Sequence, residues 1–201
     1  MLVSSRLLRR TPLTVILFLG VFTTGVITGT VAKGAWPWLM ERFGWDLNAL
    51  REGRLYAPWV GLLFASRPGE HPTMLSMLLL GAGILEYCRG SGVAAAGFFI
   101  LGPLASILTV LLLWPLEIFG VSWVKAFLFT PDMGSSGASL VCWGLLLGGE
   151  RGRWRGFVLA GTAISLVLLL VFLPERYAAD HLVSFLTGLG VGLALKAARR
   201  W

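Results

Sequence analysis

Residues Gly90 to Leu116 read GSGVAAAGFFILGPLASILTVLLLWPL, 27 positions without a charged side chain. A bilayer core about 30 Å thick takes roughly 20 apolar residues of α-helix. Backbone placed in lipid must satisfy its own hydrogen bonds, which a helix does within one segment. This stretch is therefore expected to cross a membrane as a helix. Further uncharged stretches run from Thr11 to Ala32, His71 to Leu85, Met133 to Gly149, Gly156 to Pro174 and His181 to Leu195. The shorter ones can span if flanking Arg and Lys side chains snorkel or the bilayer thins. The expected spans are 11–32, 71–87, 92–116, 134–149, 156–174 and 180–196, with 33–70 as a long outer loop. Inside that loop, Leu55 to Ser66 is apolar, but only 12 residues long and broken by Pro58, so it reads as interfacial or re-entrant.

Composition points the same way. The 201 residues are 56% hydrophobic and 13% charged, against about 25% charged in average soluble domains. That balance argues against an ordinary cytosolic enzyme and excludes a disordered chain. Six spans use about 120 residues. The chain then reads as a single all-α membrane domain over 1–201, with no room for a second soluble one. Cys88 and Cys142 both lie in apolar runs, so no disulfide framework is implied. No metal-ligand spacing or cofactor motif is found among the two His and two Cys.

The net charge of +7 follows from topology. Six spans put both termini on one side, together with the turns at 86–89 and 150–155. That side holds ten basic residues, including Arg6, Arg9, Arg10, Arg89, Arg151 and Lys196, and two acids, Glu86 and Glu150. The other side holds seven basic residues and eight acids. Basic residues mark the cytoplasmic face, so both termini are expected there. Nucleic-acid binding is not needed to explain the charge. Arg6, Arg9 and Arg10 before an apolar run also resemble a secretory signal. The run is 22 residues, longer than the usual h-region of about 7–15, so a retained helix is expected. The outer loop carries Trp36, Trp38, Trp45, Tyr56 and Trp59 among alternating charges, a composition suited to the headgroup layer. The segment from Glu117 to Asp132 is similarly aromatic.

Polar groups inside membrane segments are costly and mark function. Two places stand out: Gly134-Ser135-Ser136-Gly137 at the start of the fourth span, and Asp180-His181 at the start of the sixth. Both spans run inward from the outer face, so Ser136 and His181 are expected at similar depth although 45 residues apart. A serine hydroxyl needs a base to become a nucleophile, and histidine is the usual one. A serine in a helix's first turn also lies beside unpaired N–H groups and the positive dipole end, where an oxyanion is stabilised. Gly134 and Gly137 would let a substrate backbone and a facing helix come close. A blander reading stays open at this point. The small residues could serve helix packing, Ser135, Asp132 or Asp180 could cap helices, and His181 could be a plain interfacial histidine.

These two segments resemble the rhomboid family of intramembrane serine proteases. The family core has six helices, with a G-x-S-G motif opening the fourth and an A-H-x-x-G-x-x-x-G motif on the sixth. Gly134-Ser135-Ser136-Gly137 matches the first in full, and Gly144 matches a family packing glycine. His181 and Gly188 match the second in part. Residues Leu50 to Tyr56 look like the family's loop leading into the second helix, and Glu86 with Gly90-Ser91 like its second-helix end. The resemblance implies Ser136 as nucleophile, His181 as base, and Gly134, Ser135 and Gly137 around the oxyanion. It also implies a membrane-anchored protein as substrate and a bacterial inner membrane as location.

The departures are specific. The family's H-x-x-x-N donor pair at the second helix is reduced to His71, because the fourth residue on is Leu75; Ser76 is the nearest substitute. Leu140 stands where an aromatic packs on the base, Asp180 where Ala precedes it, and Ser184 where Gly follows. Losing one oxyanion donor costs about 10²–10³ in rate. A divergent bacterial group keeps a D-x-G-x-S pattern, which Asp132-Met133-Gly134-Ser135-Ser136 resembles. Two functions follow from the resemblance: an intramembrane serine endopeptidase cutting near the outer surface, or an impaired relative that binds or escorts membrane helices. A small transporter is a third reading, but few polar residues lie mid-span.

Overall fold

A computed structural model describes residues 9–172 and 176–198. Arg6, Pro174, Glu175, Arg199 and Arg200, which entered the span and charge assignments, lie outside the described residues. Among those described, every regular element is helical apart from one antiparallel bridge between Trp45 and Asp132.

Helix α1, Pro12–Thr28, opens on a proline at a position where its fixed φ suits the first turn and its missing N–H is not needed. Its other leading N–H groups are satisfied from far along the chain. The Glu86 carboxylate accepts from Leu13 N at 2.9 Å, Thr14 N at 2.7 Å, the Thr14 hydroxyl at 2.6 Å and the Ser91 hydroxyl at 2.6 Å. An anion at a helix N-terminus is favoured by the dipole as well as by these donors. Gly29, at φ +71°, ends the helix, and Thr30–Lys33 follows as a separate turn. The expected span 11–32 is thus 17 residues of continuous helix rather than 22.

Residues 33–70 fold into three short α-helices, Pro37–Phe43, Leu47–Arg51 and Ala57–Val60, the last followed by a 3₁₀ turn at Gly61–Leu63. The Asp46 side chain caps the second by accepting from Ala49 N at 2.7 Å. Trp36, Trp38, Tyr56 and Trp59 remain exposed, whereas Trp45 is buried. It packs with Leu47, Ala49 and Ala57, and with Val124, Phe127 and Leu128 from the later aromatic segment. The 33–70 segment and Ser122–Phe129 therefore share one apolar cluster.

Helix α2, Glu70–Leu78, passes through a π turn at Leu79–Gly83 into α3, Ile84–Arg89. Gly90 turns the chain at φ +86° into α4, Ser91–Ile118, which contains a second π turn at Ala96–Leu101. Then come α5, Ser122–Phe129, α6, Ser136–Gly149, α7, Arg153–Phe172, and α8, Arg176–Ala197. Among the described residues, three helices are long and apolar enough to cross a membrane: Ser91–Ile118, Arg153–Phe172 and the Ala178–Ala197 part of α8. α1 and α6 are apolar but shorter, at 17 and 14 residues.

Helix α6 is the centre of the molecule; of its residues after Ser136, all but Trp143 are buried. Glycine makes its contact with α8 possible. Gly144 and Gly148 lie on the backbone of Phe185 and Leu189, while Gly188 and Gly192 lie on the carbonyls of Val141 and Leu145. A Cβ at any of the four would overlap the facing backbone. In lipid, where burial gives helices little drive to associate, such backbone proximity supplies the packing energy.

Candidate active site

The chain reaches α6 through a clamped loop. Trp45 N donates to the Asp132 carbonyl at 2.9 Å, and Asp132 N to the Trp45 carbonyl at 3.2 Å. The Ser66 hydroxyl lies 2.7 Å from Asp132 Oδ1, 2.8 Å from the Met133 carbonyl and 2.7 Å from Met133 N. Gly134 N donates to the Gly61 carbonyl at 3.1 Å. Gly134 has φ +144°, a conformation that side chains disfavour. Two residues later the backbone enters α6 with Ser136 as its first helical residue.

There Ser136 Oγ meets His181 Nε2 at 2.8 Å. The contact depends on how closely α6 and α8 approach at this level. Gly137 faces the Asp180 carboxylate and the Ser184 hydroxyl, and a Cβ on it would lie 2.6 Å from Asp180 Oδ2. With Nδ1 protonated, Nε2 accepts the serine proton, the geometry a general base requires. The first bond inside α6 runs from Ser139 N to the Ser135 carbonyl at 2.9 Å. The N–H groups of Ser136, Gly137 and Ala138 therefore precede the helix's own ladder, the usual setting for an anion.

Ser136 and His181 open onto a cleft of about 430 Å³. Its other walls include Arg67, Glu70, Thr73, Met74, Met77 and Asp132. Glu70, just ahead of the second expected span, is half-buried; desolvation pushes its carboxyl up, and the hydrogen bond from Arg67 N, at 2.9 Å, pulls it back. On the far side of Ser136 is a small void of about 40 Å³ touched by Trp45, Ser106, Asp132 and Asp180.

The expected site residues divide. Ser136, His181, Gly134, Ser135 and Gly137 are brought together; His71 and Ser76 are not with them. His71 is buried against α1, its ring so close to Gly25 that a Cβ there would overlap it, with its nitrogens near the Val21 and Thr30 backbone but making no well-formed hydrogen bond among the described residues. Ser76 is exposed and donates to the Pro72 carbonyl at 2.7 Å. The helical period explains this: Glu70, Thr73, Met74 and Met77 share the face that lines the cleft, and position 71 points about 100° away. The Gly134 N–H, being held by Gly61, is not a spare donor. Among the described residues, the fully buried Ser135 hydroxyl has no partner and no side chain caps α6. Asp180 sits more than one turn inside α8 and does not cap it.

The cleft face of α2 could have been found from the spacing of residues 70, 73, 74 and 77. The part played by Ser66 carries no local sequence signal, because it depends on two loops meeting. No family model matches this chain, and no curated protein matches it.

Proposed function

We propose that this chain is an intramembrane serine endopeptidase of the rhomboid type: a six-helix bundle in a bacterial inner membrane, with both termini cytoplasmic. Its substrates are membrane-anchored proteins cut near the outer surface. The observation that carries this reading is the 2.8 Å contact between Ser136 Oγ and His181 Nε2. It joins segments 45 residues apart at the mouth of a cleft large enough for a peptide.

In the proposed reaction Nε2 of His181 takes the proton of Ser136 as Oγ attacks the scissile carbonyl. The resulting oxyanion is held by backbone N–H groups of the first turn of α6. His181 then gives its proton to the leaving amine, leaving an acyl ester on Ser136. Water loses a proton to His181 while attacking that ester, and the carboxylic acid departs as Ser136 regains its proton.

A fluorophosphonate probe tests this in detergent or nanodiscs. Ser136 is expected to be labelled, and Ser136→Ala and His181→Ala to lower labelling by about 10³-fold or more. Labelling that ignores His181, or occurs elsewhere on the chain, overturns the proposal. The second reading, a helix-binding relative without proteolysis, is favoured by the placement of His71 and Ser76 away from the cleft. It predicts capture of a membrane helix with no probe labelling.

A further inference from the structure

A helix whose first turn holds a nucleophile and also receives an oxyanion faces a conflict. Its leading N–H groups are unpaired, so the end frays unless it is capped. A capping side chain, however, occupies donors that the anion needs. Among the described residues no side chain caps α6. The chain is held just upstream instead. Trp45 pairs with both backbone groups of Asp132, at 2.9 and 3.2 Å, and the Gly61 carbonyl accepts from Gly134 N at 3.1 Å. Between them, the Ser66 hydroxyl engages both backbone groups of Met133. It accepts from Met133 N at 2.7 Å and shares its one proton between the Met133 carbonyl, at 2.8 Å, and Asp132 Oδ1, at 2.7 Å. Every backbone polar group from Asp132 N to Gly134 N is therefore held by the 33–70 segment, and of these partners Ser66 acts through its side chain. The Ser66 carbonyl in turn accepts from Ala35 N at 3.1 Å, which joins the two ends of that segment. Gly134, at φ +144°, has the most conformational freedom to lose and so the most need of this hold.

We infer that Ser66 is a positioning residue for Ser136, acting through the Met133 backbone as a remote substitute for a helix cap. It fixes the backbone that enters α6 and leaves the N–H groups of Ser136, Gly137 and Ala138 open. The inference rests on the proposed peptidase reading.

The test compares Ser66→Val with Ser66→Thr, which are close in shape and differ by the hydroxyl, beside Ser66→Ala. The readout is the rate of Ser136 labelling against fluorophosphonate concentration. Ser66→Val and Ser66→Ala are expected to lower the limiting rate by about tenfold, within the roughly 10²-fold that a misplacement of about 1 Å costs. The half-saturating concentration of probe is expected to stay the same. Ser66→Thr is expected to keep the parent's limiting rate. A parent-like limiting rate in Ser66→Val and Ser66→Ala overturns the inference, and so does a loss confined to the half-saturating concentration.

Two further measurements do not need activity. The chain has two histidines, so labelled imidazole nitrogens can be followed by NMR, with His181→Ala for assignment. Ser136→Ala shows the His181 Nε2 signal once the 2.8 Å contact with Ser136 Oγ is gone. Ser66→Val is expected to move that signal towards the Ser136→Ala position and Ser66→Thr to keep it; an unmoved signal in Ser66→Val overturns the inference. A parent that is not labelled, with a signal that moves, sinks the peptidase reading and keeps the positioning role. Hydrogen exchange on the parent needs no substitution and decides the case if the variants fail to fold. The Met133 amide is expected to be protected like the amides inside α6, and exchange at the rate of an exposed loop overturns the inference.

Discussion

Helices α6 and α7 are separated by three residues, yet they are held in opposite ways. α6 touches its neighbours through backbone: Gly144, Gly148, Gly188 and Gly192 on the α8 side, and Gly81 and Gly102 against Ser139 and Ala138 on the others. α7 has one buried residue, Leu166, with a bond from Trp143 Nε1 to the Thr162 hydroxyl at 3.2 Å and one from Arg155 to the Leu147 carbonyl. The difference follows from what each helix has to position. A 2.8 Å contact between side chains on two helices is lost if either helix shifts by an ångström. Packing backbone on backbone leaves no flexible side chain to absorb such a shift. α7 carries neither member of the pair and can be held by a few side chains.

That contrast can be broken by substitution. The largest effect is expected at Gly188, which rests on the Val141 carbonyl. Gly188→Leu should force α6 and α8 apart, lower stability by about 3 kcal/mol or more, and abolish Ser136 labelling. Unfolding in detergent with parent-like midpoint and labelling would show that the seam is not what sets the geometry. An intermediate case is the contact of α1 with α2. His71→Leu replaces a buried ring that makes no well-formed hydrogen bond among the described residues by an apolar group, which is expected to change stability by less than about 1 kcal/mol in either direction. Labelling of Ser136 should stay at the parent's rate, whereas a drop of about 10²-fold would return His71 to the oxyanion. The smallest effect is expected on α7, where Leu168 is half-exposed. Leu168→Ala should move the unfolding midpoint by less than about 0.5 kcal/mol equivalent.

The same contrast explains what could be read from the sequence. Charge-free stretches such as Gly90 to Leu116 and Gly156 to Pro174 depend on composition alone, and their described residues lie in the long apolar helices Ser91–Ile118 and Arg153–Phe172. The meeting of Ser136 with His181 was legible because each opens an apolar run at the same end. The cut at Gly29 and the π turns at Leu79–Gly83 and Ala96–Leu101 were not, since hydropathy is blind to a change in hydrogen-bond register. His71 falls away from the cleft because helical phase, and not family spacing, sets which side of α2 it occupies. Ser66 and Asp132 were not joined in advance, because 66 positions separate them.

Glu86 has a consequence for how the chain is made. Its carboxylate gathers donors from Leu13, Thr14 and Ser91. A nascent chain emerging from the ribosome presents the first of these more than seventy residues before the acceptor. The leading turn of the first hydrophobic segment therefore stays unlatched until the end of the second has been made, which makes late docking of the amino-terminal helix a built-in order of assembly.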